Sequence, residues 1–385
     1  MLVKRAMPRH SPAMQLAAQR AHLAQLAEAG RLRALIPRAG IDMSSNDYLA
    51  LAGSSRLAEA ARTALARGVA LGSGGSRLLR GNDAEHVALE EEAARFFGCE
   101  AALFFGSGYA ANTALLSAVP QAHDLVVHDA LVHASMHDGM RLGRARCVAT
   151  PHGDVSAIDD AITAWRTAGG TGTPWIAVES LYSMDGDRAD VTALIAVADR
   201  HDAMLIIDEA HATGVWGEGA RGIAAALHGR VNVVTLNTFG KALGGEGALL
   251  CGPAIVRDFL VARARPFIFS TAPAPLGAAV ARESLRIVAD EPDRRARLQA
   301  LIAAARHHLE PLGARVESQI VPLVIGDDRA AMHVAAAVQA AGFDVRGIRP
   351  PTVPTGTARL RITLTLHVSE ADIVALATVL RDVLP

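Results

Sequence analysis

The sequence predicts an α/β fold, with a mostly parallel central sheet covered by helices and a smaller α+β region after it. Three observations carry that prediction. Short, continuous apolar runs alternate with helix-length segments between residues 101 and 250, the pattern of strands buried on both faces. Hydrophobic residues make up 51% of the 385 residues and charged residues 20%, with 38 Lys+Arg against 39 Asp+Glu. A chain of that length and balance buries a large core and is not disordered. From about Ala278 the texture changes to a long helical pattern, then strand, helix, strand and helix.

The elements follow in order. Residues 11–35 are rich in Ala, Leu and Gln with interspersed Arg, and read as an amphipathic helix. Residues 44–48 read as a polar turn. Residues 85–97 read as a helix that starts after Gly81-Asn82-Asp83 and stops at Gly98. Strands are expected over 101–105, 125–128, 175–178, 204–207, 231–236 and 247–250. One long helix is expected from 278 to about 312, then a strand over 320–325 and a helix over 330–341. A Pro-rich loop over 349–354, a strand over 358–364 and a helix from Ser369 complete the chain. The organisation is an N-terminal helical segment (1–42), a large α/β domain (43–277) and a small α+β domain (278–385).

Composition excludes several classes of function. A net charge of -1 and only 4% aromatic residues argue against a nucleic-acid binder, which needs a basic face. No apolar run approaches ~18 residues, so no membrane helix is expected. Residues 1–10 carry charge with no apolar segment behind it, so no secretory signal is expected. Cys99, Cys147 and Cys251 are too scattered for a disulfide framework and suit a reducing cytoplasm.

The chemistry concentrates at strand ends. Asp208 follows the run 204–207, which puts a carboxylate at the C-terminal end of a buried strand, where open α/β sheets bind ligands. A helix cap is the plainer reading of the same residue. His211 lies three residues on. Lys241 follows the run 231–236 in Thr238-Phe239-Gly240-Lys241, and Lys4 is the sole other lysine in a chain that otherwise uses Arg. Lysine loses its proton when desolvated and forms Schiff bases, which arginine does not. Thr235 and Ala242 exclude a phosphate loop of the nucleoside-triphosphatase type. Together Asp208 and Lys241 suggest pyridoxal phosphate, which needs a lysine and an acid partner for its ring nitrogen.

Gly106-Ser107-Gly108-Tyr109-Ala110-Ala111 follows a strand and opens a helix whose N–H groups suit a phosphate. It also reads as a dinucleotide fingerprint, which leaves a nicotinamide-dependent oxidoreductase open as an alternative. A non-catalytic cofactor-binding protein is a second alternative. His133 could stack on a flat ring. His128, His133 and His137 lack an H-E-x-x-H pattern and a nearby Cys, so no metal is expected. Gly72–Arg77 is a Gly/Ser loop. Arg359 and Arg361 share one strand face, which suits a carboxylate.

Taken together, Ser44–Leu49, Gly72–Arg77, Ser107–Asn112, Ser183–Asp187, Asp208–Gly214, Thr238–Lys241 and Phe269–Thr271 make the sequence similar to the α-oxoamine synthases, a family of fold-type I pyridoxal phosphate transferases. Residues 348–364 point to the branch that joins L-alanine to a pimeloyl thioester in biotin synthesis, carried on CoA or on acyl carrier protein. A sister synthase using glycine or serine is the alternative. The resemblance implies that Lys241 carries the cofactor, Asp208 meets its ring nitrogen, His211 its ring hydroxyl with Ser183 nearby, and His133 its ring face. It assigns the phosphate to Gly108, Tyr109 and Thr238, with Ser270 and Thr271 of a second subunit. It gives the amino-acid carboxylate to Asn46 and Arg361, and the acyl pocket to Thr352 and Arg33, with Arg31 the alternative. It further implies a cytoplasmic homodimer with shared active sites and neither nucleic acid nor membrane as partner.

Overall fold

The computed structural model describes residues 16–384, so the expectation of no leader over residues 1–10 lies outside the described residues. The central sheet has seven strands: β1 (Ala101–Phe105), β2 (Leu125–Asp129), β3 (Arg146–Thr150), β4 (Pro174–Glu179), β5 (Met204–Asp208), β6 (Val233–Thr238) and β7 (Ala248–Gly252). Their spatial order is β1-β7-β6-β5-β4-β2-β3. Strand β7 runs antiparallel to β1 and β6, and the remaining pairings are parallel. Alternate residues feed opposite faces, which is why the strands read as unbroken apolar runs. Leu103, Phe105 and Ile206 enter one core body; Val178, Leu205 and Ile207 enter another.

Strand β3 was not expected from the sequence. It lies at the sheet edge, and most of its Arg-Cys-Val-Ala-Thr is exposed, so no apolar run marks it. The expected helix over 278–312 is two helices, Pro275–Asp290 and Pro292–Leu309. Pro292 has no N–H to give and bars helical backbone at the residue before it, so Glu291 turns to φ -116° and ψ 62°. The N-terminal helix spans Ala17–Glu28, shorter than expected, with none of its residues buried. Residues 11–15 lie outside the described part.

The loop from β6 to β7 is tight and carries Lys241. Gly244 and Gly247 have φ of 63° and 95°, and a Cβ at either would fall 2.4–2.5 Å from Ala52 N or the Phe104 ring. Only glycine fits both positions, so the loop has one shape.

A second sheet, ordered β9-β10-β8, is antiparallel and uses β8 (Ile320–Gly326), β9 (Arg346–Ile348) and β10 (Ala358–Thr363). The N-terminal segment is stitched to this small sheet. Ile41–Asp42 pairs with Phe343–Asp344, Met43 O accepts from Thr363 N at 2.8 Å, and Tyr48 O accepts from Leu366 N at 3.0 Å. Asn46 is thereby held beside β10. Among the described residues, no helix is long and apolar enough to cross a membrane.

Candidate active site

Parallel β5 and β6 deliver Asp208 and the Lys241 loop to the same edge of the central sheet. A cavity of about 160 Å3 there is lined by Gly108, Tyr109, His133, Asp208, His211, Thr238 and Lys241. Seven of the residues singled out from the sequence thus share one space.

Asp208 is buried and its carboxylate is held on both sides. Oδ1 accepts from Ala210 N at 2.9 Å, and Oδ2 accepts from Asn112 Nδ2 at 2.7 Å. Asn112 also donates to Ser135 Oγ at 3.0 Å. Its helix, Gly108–Ala118, starts directly after β1, and Ser107 caps it by accepting from Ala110 N at 3.1 Å. The N–H groups of Gly108 and Tyr109 have no carbonyl within the helix to meet, which makes this end a seat for an anion.

Lys241 Nζ lies 2.8 Å from His211 Nε2, and His211 Nδ1 lies 2.6 Å from the Tyr48 hydroxyl. Tyr48 donates to Asn46 Oδ1 at 3.1 Å, and Arg361 Nη2 donates to the same oxygen at 3.1 Å. Donor accounting fixes the tautomer. The Tyr48 proton points to Asn46, so its oxygen receives Nδ1–H, and the bare Nε2 of His211 accepts from Lys241. Burial, then the Lys241 charge, pushes His211 well below the usual histidine range, so it stays neutral. Burial also brings Lys241 down to about 8, against the opposing pull of Asp208 and Glu179. The lysine therefore holds a substantial neutral fraction near neutral pH.

Arg361 is buried beyond this chain of contacts, with Nε donating to Ser183 O at 2.6 Å and Nη1 to Thr363 Oγ1 at 2.9 Å. Arg359, two residues away on the same face, donates to Met184 O at 3.3 Å and pairs with Asp185. Both arginines thus grip the segment 183–185. His133 Nδ1 is 2.8 Å from Ser135 Oγ, and its ring stands 6.4 Å from that of Tyr109 at 82°.

His133 also borders a second, wider cavity of about 600 Å3, whose walls include Arg33, Tyr182, Ser183, Thr352 and Val353. Arg33 Nη2 donates to Thr352 Oγ1 at 2.9 Å. Arg31, the alternative, is instead paired with Asp328 at 2.6 Å. Ser270 and Thr271 are exposed and line neither cavity within this chain.

Sequence reasoning passed over Glu179, although it ends an apolar run just as Asp208 does. It closes β4 in register with Asp208 and is buried. Burial, then the Asp208 charge, raises its carboxyl well above the usual range. Asn112 had no such signal, since nothing in its helix marks which side chain reaches the strand ends.

The residues present fit pyridoxal phosphate. Two polar atoms at the cavity, Asn112 Oδ1 and Glu179 Oε1, are buried without a protein partner. A lysine with a lowered pKa, a fixed carboxylate, a histidine ring and a helix N-terminus surround the same small space.

Comparison with known proteins agrees. The family description "Aminotransferase class I and II" matches residues 38–380. The 8-amino-7-oxononanoate synthase of Anaeromyxobacter dehalogenans is 44% identical over 356 residues, covering 90% of this chain and 88% of its own. A serine palmitoyltransferase variant from S. paucimobilis, solved with bound PLP–myriocin aldimine, superposes with a TM-score of 0.88 at 25% identity, over 97% of this chain and 98% of that one. The 8-amino-7-oxononanoate synthase of Francisella tularensis gives a TM-score of 0.75 at 26% identity, over 89% and 97%.

Proposed function

The chain belongs to the aminotransferase class I and II family and, within it, to the 8-amino-7-oxononanoate synthases, pyridoxal phosphate-dependent acyltransferases of biotin biosynthesis, and we propose that it condenses L-alanine with a pimeloyl thioester. The products are 8-amino-7-oxononanoate, CO2 and the free thiol of CoA or acyl carrier protein. The observation that carries this reading is the pair of cavities meeting at His133, one holding Lys241 and the other Arg33 with Thr352. A small amino acid suits the first, and a chain with a distal carboxylate suits the second.

Bound pyridoxal phosphate supplies an electron sink for a carbanion at the amino acid's Cα. Lys241 would hold it covalently, Asp208 its ring nitrogen, His211 its ring hydroxyl with Ser183 nearby, His133 one ring face, and Gly108, Tyr109 and Thr238 its phosphate. The rest of the work falls to this chain's side chains. Arg361 and Asn46 bind the α-carboxylate and fix the direction of the Cα–H bond. Lys241 takes the Cα proton on Nζ; with no cofactor bound, neutral His211 holds that nitrogen at 2.8 Å. Arg33 and Thr352 take the distal carboxylate of the acyl chain. Ser270 and Thr271 of a second copy complete the phosphate contacts, so the working unit is a cytoplasmic homodimer with shared sites.

The test is a mass-spectrometric product assay with alanine, glycine and serine, each offered with pimeloyl-CoA. Alanine is expected to give 8-amino-7-oxononanoate as the dominant product. A preference for glycine or serine would move the chain to a sister synthase. Sedimentation of a fully active monomer would remove the shared site.

A further inference from the structure

Gln319 lies outside both cavities, immediately before β8, and is fully buried. Its side chain spans the two sheets. Oε1 accepts from Trp216 Nε1 at 2.8 Å, and Nε2 donates to the main-chain oxygen of His211 at 2.7 Å. The orientation of the amide is fixed, because an indole N–H only donates and a carbonyl only accepts. The Gln319 main-chain oxygen accepts from Leu364 N at 2.9 Å, just past β10. Trp216 is itself fixed, with the Arg188 guanidinium 3.8 Å above its ring and Arg188 Nη2 donating to Glu317 O at 2.7 Å.

A leucine would fill a buried site of this size more cheaply than an amide, unless the amide sets a geometry. The geometry in question is the run of contacts Lys241–His211–Tyr48–Asn46–Arg361. Lys241 and His211 belong to loops of the central sheet, whereas Arg361 and Asn46 belong to the small sheet and its N-terminal strap. Gln319 joins the two sides of that division, because its main chain is bonded at the edge of the small sheet while its side chain holds His211 and Trp216. Ile320, the next residue, pairs with Thr363, the hydroxyl partner of Arg361.

We propose that Gln319 is a positioning residue: its amide sets the distance between the carboxylate-binding pair Arg361–Asn46 and the amine of Lys241. It contacts no reacting atom. The inference rests on the reading of Arg361 as the amino-acid carboxylate site, and its test has one arm that does not.

The first arm is Gln319→Glu. When its carboxyl is protonated, the O–H donates to His211 O and the carbonyl accepts from Trp216, which restores the clasp; when ionised, it repels His211 O. Burial raises such a carboxyl, so this variant should approach wild-type turnover at low pH and lose about tenfold as pH rises, a limb the wild type lacks. Gln319→Leu should lose about tenfold in kcat/KM for alanine at every pH, with the thioester KM unchanged. A uniform loss in both substrates, or a Gln319→Glu profile parallel to wild type, would overturn the proposal.

The second arm needs no substrate. Lys4 and Lys241 are the two lysines of the chain, so peptide mapping after amine acylation of the cofactor-free protein reads Lys241 alone. Wild type should label with a midpoint near about 8. Gln319→Leu frees the His211 turn and lets the Arg361 charge, which lowers Lys241, draw away from it, so the midpoint should move toward the ordinary lysine value of 10.5. An unchanged midpoint in a variant with wild-type thermal stability would refute the positioning role, whichever amino acid the enzyme uses.

Discussion

The two cavities that meet at His133 are built in opposite ways. The smaller one, of about 160 Å3, is made at the ends of neighbouring strands, with Glu179 closing β4, Asp208 closing β5, and Lys241 in the short loop after β6. The wider one, of about 600 Å3, gathers Arg33, His137, segment 182–185 and segment 351–354, none of them within a strand of the central sheet. Strand ends are placed by a hydrogen-bonded ladder and a packed core, so residues there are fixed to a fraction of an ångström. Segments drawn from four distant parts of the chain share no such ladder, and among them 183–185 is held by side-chain bonds from Arg359 and Arg361. The small cavity is therefore where chemistry is expected to be exacting, and the wide one where binding is expected to be graded.

That contrast is tested first where the effect should be greatest. Lys241→Ala removes both the anchor and the base, and should lower turnover by more than about a thousandfold. Near-normal activity in this variant would end the proposed mechanism. Without cofactor, the same lysine leaves a trace in stability. Its folded pKa of about 8 lies below the unfolded 10.5, so between those values the unfolded chain binds the extra proton. Stability therefore rises with pH through that window and falls on the way down. Thermal melts of cofactor-free Lys241→Met should show a flatter rise from pH 8 to 10.5 than wild type, and an unchanged slope would contradict the lowered pKa.

Asp208→Asn comes next. The amide keeps the shape but not the charge, and it would have to face Asn112 Nδ2 with an uncharged oxygen. Turnover should fall by about a hundredfold, with cofactor content by mass spectrometry only modestly reduced. A loss as small as that of a cavity-wall variant would erase the distinction between the two cavities.

The same contrast explains what could be read from the amino-acid sequence. Asp208 was visible because a polar residue directly after a buried apolar run has one place to go, the strand end, and Lys241 because Lys4 is the sole other lysine in a chain that otherwise uses Arg. Glu179 obeys the same rule, ending the run 175–178 as Asp208 ends 204–207. Asp208 and Glu209 show the limit of the rule. Both are buried acids in succession, yet Asp208 faces the cavity while Glu209 turns to Ser180, Ile223 and Ala224 on the other side. Strand β3 escaped because an edge strand needs no apolar run, and the break at Pro292 because helical periodicity continues across it. The contact between Asn46 and Arg361 spans 315 positions, and the Gln319 clasp spans 108. No local pattern encodes such pairings; they follow from stitching the N-terminal strap to the small sheet.

Arg361→Ala and Arg33→Ala should separate the two substrates. Arg361 is buried and fixed by Ser183 O and Thr363, so its loss leaves the amino-acid carboxylate without its fork. A charge-assisted contact of about 1.5–3 kcal/mol predicts at least about a tenfold rise in alanine KM, with the thioester KM nearly constant. Arg33 should do the reverse, and more weakly, because it is exposed and solvent screens its charge. If Arg361→Ala raised only the thioester KM, the two carboxylate assignments would have to be exchanged.

The smallest expected effect is the most discriminating about how the wide cavity works. Thr352 holds Arg33 by accepting from Nη2 at 2.9 Å, and both side chains are exposed. A neutral acceptor on a solvated guanidinium contributes little to stability, since water replaces it at almost no cost. Its value lies in aim. Thr352→Val keeps the volume and removes the hydroxyl, so Arg33 should sample more rotamers and pay more entropy on binding the distal carboxylate. The expected result is about a two- to fourfold rise in thioester KM, with kcat and alanine KM unchanged and thermal stability within about 0.5 kcal/mol of wild type. A competitor lacking the distal carboxylate, such as a neutral acyl thioester of the same length, should be unaffected by the change. If Thr352→Val weakened both thioesters equally, the hydroxyl would be shaping the cavity wall rather than aiming Arg33, and the wide cavity would select for chain shape instead of charge.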